Sequence, residues 1–99
     1  MKRIKSYAPP SVEDLLHLKS DLGFTSPQMA DLSGLAQGGQ WRKYTGGEKP
    51  RSMGMQMHFY MAALLTLTDD ELSRVISKMG EQGAAVELGP LPAGPSVGK

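Results

Sequence analysis

The side chains in this sequence best suited to chemistry are two histidines, a methionine series, an acidic triplet and a glycine-lysine loop. In each case the spacing favours a structural role. His17 and His58 are isolated in sequence and are assigned neither a metal nor a general-base role. Met53, Met55, Met57 and Met61 carry the soft sulfur that copper prefers, but their spacing spreads the sulfurs around a helix, as core filling would. Asp69, Asp70 and Glu71 follow Thr68 as the acids of a helix start, where free backbone N–H groups favour negative charge. Thr45-Gly46-Gly47-Glu48-Lys49 lacks the G-x-x-x-x-G-K-[ST] spacing of a phosphate loop and has no strand before it, so it reads as a helix end. Cysteine is absent, which removes thiolate ligands, disulfides and sulfur nucleophiles together and suits a reducing compartment. The expectation is a protein that is not an enzyme and uses neither metal nor cofactor.

What remains is a cluster suited to nucleic acid. The side-chain amides of Gln37 and Gln40 can pair bidentately with adenine and the Arg42 guanidinium with guanine, while Gly39 leaves the backbone free to approach closely. Lys43, Thr45, Lys49 and Arg51 suit phosphates, which position a protein without reading sequence. The formal net charge of +1 conceals an asymmetry: residues 1–51 hold eight basic and five acidic side chains, the remainder three and five. A basic half joined to a mildly acidic one fits a polyanion-facing surface on one side. Trp41 reads as a core anchor, because single-strand readers usually present several exposed aromatics.

The elements that must position these groups are helical. At 99 residues there is room for one domain, and no apolar run is long enough to span a membrane or form a signal-peptide core, which suggests a soluble cytoplasmic protein. Ser11 and Asp14 resemble a capping box before an apolar pattern over 12–22, closed by Gly23. Thr25, Pro27 and Gln28 open a second helix, with Phe24 and Met29 spaced as a hydrophobic staple and Ser33-Gly34 as its end. A third helix is expected over 37–45, stopped by Gly46-Gly47. Residues 52–67 are apolar nearly all round and predict a central helix buried on most sides. Thr68 to Glu71 begin a fifth helix whose Leu72, Val75, Ile76 and Met79 form one stripe, ending near 80–83.

Leu22, Gly23, Thr25, Met29, Ala30, Gly34, Leu35 and Pro50 fall on the pattern L-G-[apolar]-T-Q-x-x-[apolar]-A-x-x-x-G-[apolar]-S, then a recognition helix, then G and P. On these residues the chain resembles the lambda-repressor and Cro-like (XRE) helix-turn-helix family over roughly 11–67. Ser26 stands where the family usually has Gln, at a position that often touches a phosphate or base. An ungapped match would bury Gln40 and Lys43. Shifting the third helix by one residue buries Trp41 and Tyr44 instead, avoiding an unpaired buried lysine at a cost of several kcal/mol. That register implies one inserted residue around Gly38-Gly39 and one fewer before Pro50.

The resemblance implies an all-α, five-helix lambda-repressor-like domain over 11–83, between a basic arm (1–10) and a disordered tail (84–99). It implies a sequence-specific regulator of transcription, a repressor, placing its third helix in the major groove of double-stranded DNA. The expected contact set is Ser26, Gln28, Gln37, Gly38, Gly39, Gln40, Arg42, Lys43, Thr45, Lys49 and Arg51. The expected assembly is a homodimer on a palindromic operator. The stripe of the fifth helix either forms the dimer face or closes the monomer core, and Lys2, Arg3 and Lys5 either follow a neighbouring groove or extend into solvent. A reading from another class is a helical interaction protein, such as an antitoxin or phage-type inhibitor, on the same scaffold.

Overall fold

Helix starts in this chain are written in short-range hydrogen bonds. In the computed structural model, which describes residues 1–91, Ser11 Oγ accepts from the Asp14 N–H (3.1 Å) and Asp14 Oδ2 accepts from the Ser11 N–H (3.0 Å). This reciprocal cap begins α1, Val12–Leu22. Thr25 and Gln28 repeat the arrangement ahead of α2, Ser26–Leu32, as do Thr68 and Glu71 ahead of α5, Asp69–Glu81. Each box satisfies two backbone donors that would otherwise lack partners. Between α2 and α5 lie α3, Gly38–Arg42, and α4, Met55–Thr66. The described residues are all-helical, with five helices and no strand.

Two left-handed glycines close the first two helices. Gly23 (φ 70°) follows α1, with the Phe24 N–H returning to the Lys19 carbonyl at 3.2 Å. Gly34 (φ 78°) follows α2, with the Leu35 N–H returning to the Ala30 carbonyl at 2.8 Å. These are the six-to-one bonds of a Schellman end, which require a residue free of Cβ strain. Among the described residues, α2 and α3 make the most extensive helix–helix approach.

The core is small and lies on the first three helices. Leu15, Phe24, Met29, Ala30, Leu32 and Trp41 are buried together with Met53 and Met61. The expected burial of 52–67 on most sides is not observed. Within α4 only Met61 is buried, while Phe59 is 61% exposed and Met55, Tyr60 and Leu65 also reach solvent. Uniform apolarity shows that a helix could be covered on every side, but covering it needs neighbours, and α5 does not fold over it. No residue of α5 is buried, and Val75 and Met79 are exposed. The stripe on α5 therefore does not close the monomer core.

The third helix is also shorter than expected. Its regular part stops at Arg42, and residues 43–46 continue as tight turns, with Tyr44 N–H to Trp41 carbonyl at 3.0 Å and Gly46 N–H to Arg42 carbonyl at 2.9 Å. Last-turn tightening of this kind satisfies terminal carbonyls where glycines prevent the helix from continuing. Residues 84–91 carry no helix or strand and are exposed; 92–99, the rest of the expected tail, lie outside the described residues. Among the described residues no helix is long and apolar enough to cross a membrane.

Candidate nucleic-acid interface

The seating of α3 decides which of its side chains face outward. Trp41 is 1% exposed and Tyr44 packs half-buried against the core, which is the one-residue register that the cost of burying Lys43 favours. At 100° per residue, Gly39 then lies opposite the buried face with Arg42 and Lys43 three and four positions on, flanking it. All three are exposed, and nothing lies within 4 Å of the position a Gly39 Cβ would take. Among the described residues the only ion pair is Lys78–Glu81, so Arg42, Lys43, Lys49 and Arg51 have no carboxylate partner to compete with a phosphate.

The loop after α3 folds back on it. The Arg51 N–H donates to the Lys43 carbonyl at 2.8 Å, which holds the Arg51 backbone against the end of the helix. Lys49 and Arg51 are exposed and Thr45 is half-buried. The backbone of Arg51 is thereby held at the end of α3 beside that of Lys43.

Three of the expected contact residues, Gln40, Gly38 and Gln28, serve the fold as well. Gln40 Oε1 accepts from the Ala36 N–H (2.9 Å) and the Gln37 N–H (3.2 Å), so it ties the turn before α3 and is not free for the bidentate adenine pairing expected of it. Gln37, at the N-cap, is exposed. Gly38 faces α2: a Cβ there would meet Pro27 N at 2.9 Å and Pro27 Cδ and Cγ at 3.1 Å. Its missing side chain makes room for the α2–α3 contact. Ser26 is half-buried in the first turn of α2, and Gln28 Oε1 accepts from the Thr25 N–H at 2.8 Å as part of the cap.

The residues that periodicity does not reveal are Tyr7 and His58. The Tyr7 hydroxyl donates to the Met53 carbonyl at 2.9 Å and lies 3.3 Å from His58 Nδ1, with the two rings edge-on at 5.9 Å. Burial pushes the Tyr7 phenol above its ordinary value, so it remains a proton donor near neutrality. An aromatic residue inside a basic arm was the only signal, since contacts across 46 and 51 positions leave no local pattern. The described residues hold no cluster of three or more His, Cys, Asp or Glu able to bind a metal. Comparison with protein-family models, curated proteins and solved structures returns no match to this chain, so the residues and their geometry carry the functional reading.

Proposed function

We propose that this protein is a sequence-specific double-stranded DNA-binding regulator of transcription, a repressor built on a lambda-repressor-like helix-turn-helix. The observation that supports this reading most is the seating of α3. Its indole is buried beneath it while Gly39, Arg42 and Lys43 stand exposed on the outward side, with no ion-pair partner among the described residues. In this proposal α3 enters the major groove, Arg42 pairs with guanine and Gln37 with adenine. Lys43, Thr45, Lys49 and Arg51 hold phosphates, while Gln40 and Gly38 act indirectly by fixing the turn and the helix contact.

Mobility shift of a mixed-sequence duplex over a salt series tests it. Affinity should fall steeply with salt; absence of binding even at low salt refutes the reading. Arg42→Ala should relax base preference by about 1–3 kcal/mol, whereas Lys43→Ala should weaken all sequences alike.

The proposed assembly is a two-fold dimer through Leu72, Val75, Ile76 and Met79, one α3 per half-site of a palindromic operator. A short module makes few base contacts, and pairing multiplies them. The same stripe, with Val75 and Met79 exposed and Leu72 and Ile76 half-buried, favours a second reading, a helical module that binds another protein through α5. Binding to DNA with the salt dependence above separates the two.

A further inference from the structure

The basic arm, residues 1–10, has no regular secondary structure, yet it is pinned at one point. The Tyr7 hydroxyl has a single proton and two neighbours, the Met53 carbonyl and His58 Nδ1. A carbonyl can only accept, so the phenol proton goes to Met53 and the imidazole must donate Nδ1–H to the phenol oxygen. With both contacts made as hydrogen bonds, the proton on His58 sits on Nδ1.

Met53 is also the end of a three-residue strap. At its other end the Arg51 N–H is bonded to the Lys43 carbonyl of the turn that ends α3. The strap 51–53 is therefore hydrogen-bonded to α3 on one side and to the arm on the other. Beyond Tyr7 the arm continues over α4, where Lys2, Arg3 and Ile4 line an open hollow with Met55, Gln56 and Phe59. Lys2, Arg3 and Lys5 are exposed and have no ion-pair partner among the described residues.

We propose, on the DNA-binding reading above, that Tyr7 is a positioning residue: it latches the arm to the strap so that Lys2, Arg3 and Lys5 neutralise backbone phosphates beside those met by Lys43 and Arg51. The arm is then a second electrostatic contact held in place before DNA arrives. Without the hydrogen bond the arm is not held beside those phosphates, so fewer counterions are released there on binding.

The test measures binding of the full chain to a mixed-sequence duplex between about 50 and 200 mM salt, reading the slope of log affinity against log salt. The variants are Tyr7→Phe, the triple Lys2→Ala, Arg3→Ala, Lys5→Ala, and the two combined. Each phosphate contact contributes about 0.9 to the slope, so the triple variant should flatten it by about 2 to 3. Tyr7→Phe retains the ring and every charge, yet should lose much of the same slope, and the combined variant should lose no more than the triple. Nitrogen-15 NMR should find Nδ1 of His58 protonated in the parent chain, and that signal should move in Tyr7→Phe.

A triple variant with the parent slope overturns the arm contact. A Tyr7→Phe variant with the parent slope, or with weaker binding at an unchanged slope, overturns the latch. All of these results leave the DNA reading standing. A chain that binds no duplex at any salt overturns the inference and that reading together.

Discussion

Replacing Gly38 by alanine should destabilise the protein, while the same change at Gly39, one residue on, should not. A Cβ at position 38 would lie 2.9 Å from the backbone nitrogen of Pro27 and 3.1 Å from its ring carbons. Neither neighbour is the end of a flexible side chain. The ring fixes the φ angle of Pro27, and α2 is anchored behind it by buried Met29, Ala30 and Leu32. Relief must come from α3 moving away from α2 by some tenths of an ångström, which loosens the Trp41 seat. Overpacking of this kind costs about 1–3 kcal/mol. Alanine offsets part of that through its helix preference, about 0.5–1 kcal/mol over glycine. The net expectation is a loss near 1 kcal/mol, or about 4–8 °C in Tm for a domain of this size. At Gly39 the added methyl meets nothing within 4 Å, so only the helix preference remains and Tm should rise by a few degrees. Urea denaturation of the two variants and the parent, with unchanged m-values, reads the difference directly. In the shift assay the order reverses: the Gly39 methyl stands on the proposed DNA face and should weaken binding more than the stability change accounts for. If Gly38→Ala is as stable as the parent, or both glycines respond alike, the packing account of the α2–α3 contact is wrong.

Trp41 Nε1 is buried with no hydrogen-bond partner among the described residues, a deficit of about 1–3 kcal/mol in the native state. Trp41→Phe should therefore cost well under the roughly 3–5 kcal/mol of Trp41→Ala, and equal losses in urea would contradict it. Gly34→Ala should cost about 1–2 kcal/mol from left-handed strain alone, because the new methyl would meet the Tyr60 ring at an ordinary 3.6 Å; Gly34→Asn should cost less. The Ser11 N–H, with its hydroxyl, holds the Asp14 carboxyl below its ordinary value, so its stabilisation is full above a pH of about 4 and disappears as pH falls through the lower native value. Thermal melts from neutral pH into that acid range should show a shallower decline for Asp14→Asn, and parallel curves would refute the cap's role. Val75→Glu, on a residue 46% exposed, should leave monomer stability within about 0.5 kcal/mol yet abolish self-association in sedimentation equilibrium. A parent chain that stays monomeric at high concentration would remove α5 as the dimer face.

The capping boxes at Ser11, Thr25 and Thr68, the left-handed turns at Gly23 and Gly34, and the five-helix order were legible along the chain. All depend on contacts three to five residues apart, where backbone geometry leaves few alternatives. The burial of Trp41 over Lys43 followed from the cost of hiding an unpaired charge. The packing role of Gly38 and the turn hydrogen bonds of Gln40 were not legible. Glycine beside glycine reads the same whether its missing side chain makes room for a ligand or for Pro27, and an exposed glutamine reads the same whether its carbonyl faces solvent or ties a turn. The methionine-rich segment misled for a related reason, since apolarity states what a helix can tolerate around it and not what other helices supply. The anchoring of Tyr7 to Met53 and His58, and the solvent-facing stripe of α5, emerged only once the chain was folded. Helix ends are governed by neighbours along the backbone, whereas coverage, docking and exposure are governed by neighbours in space, and residues dozens of positions apart carry no periodic trace of one another.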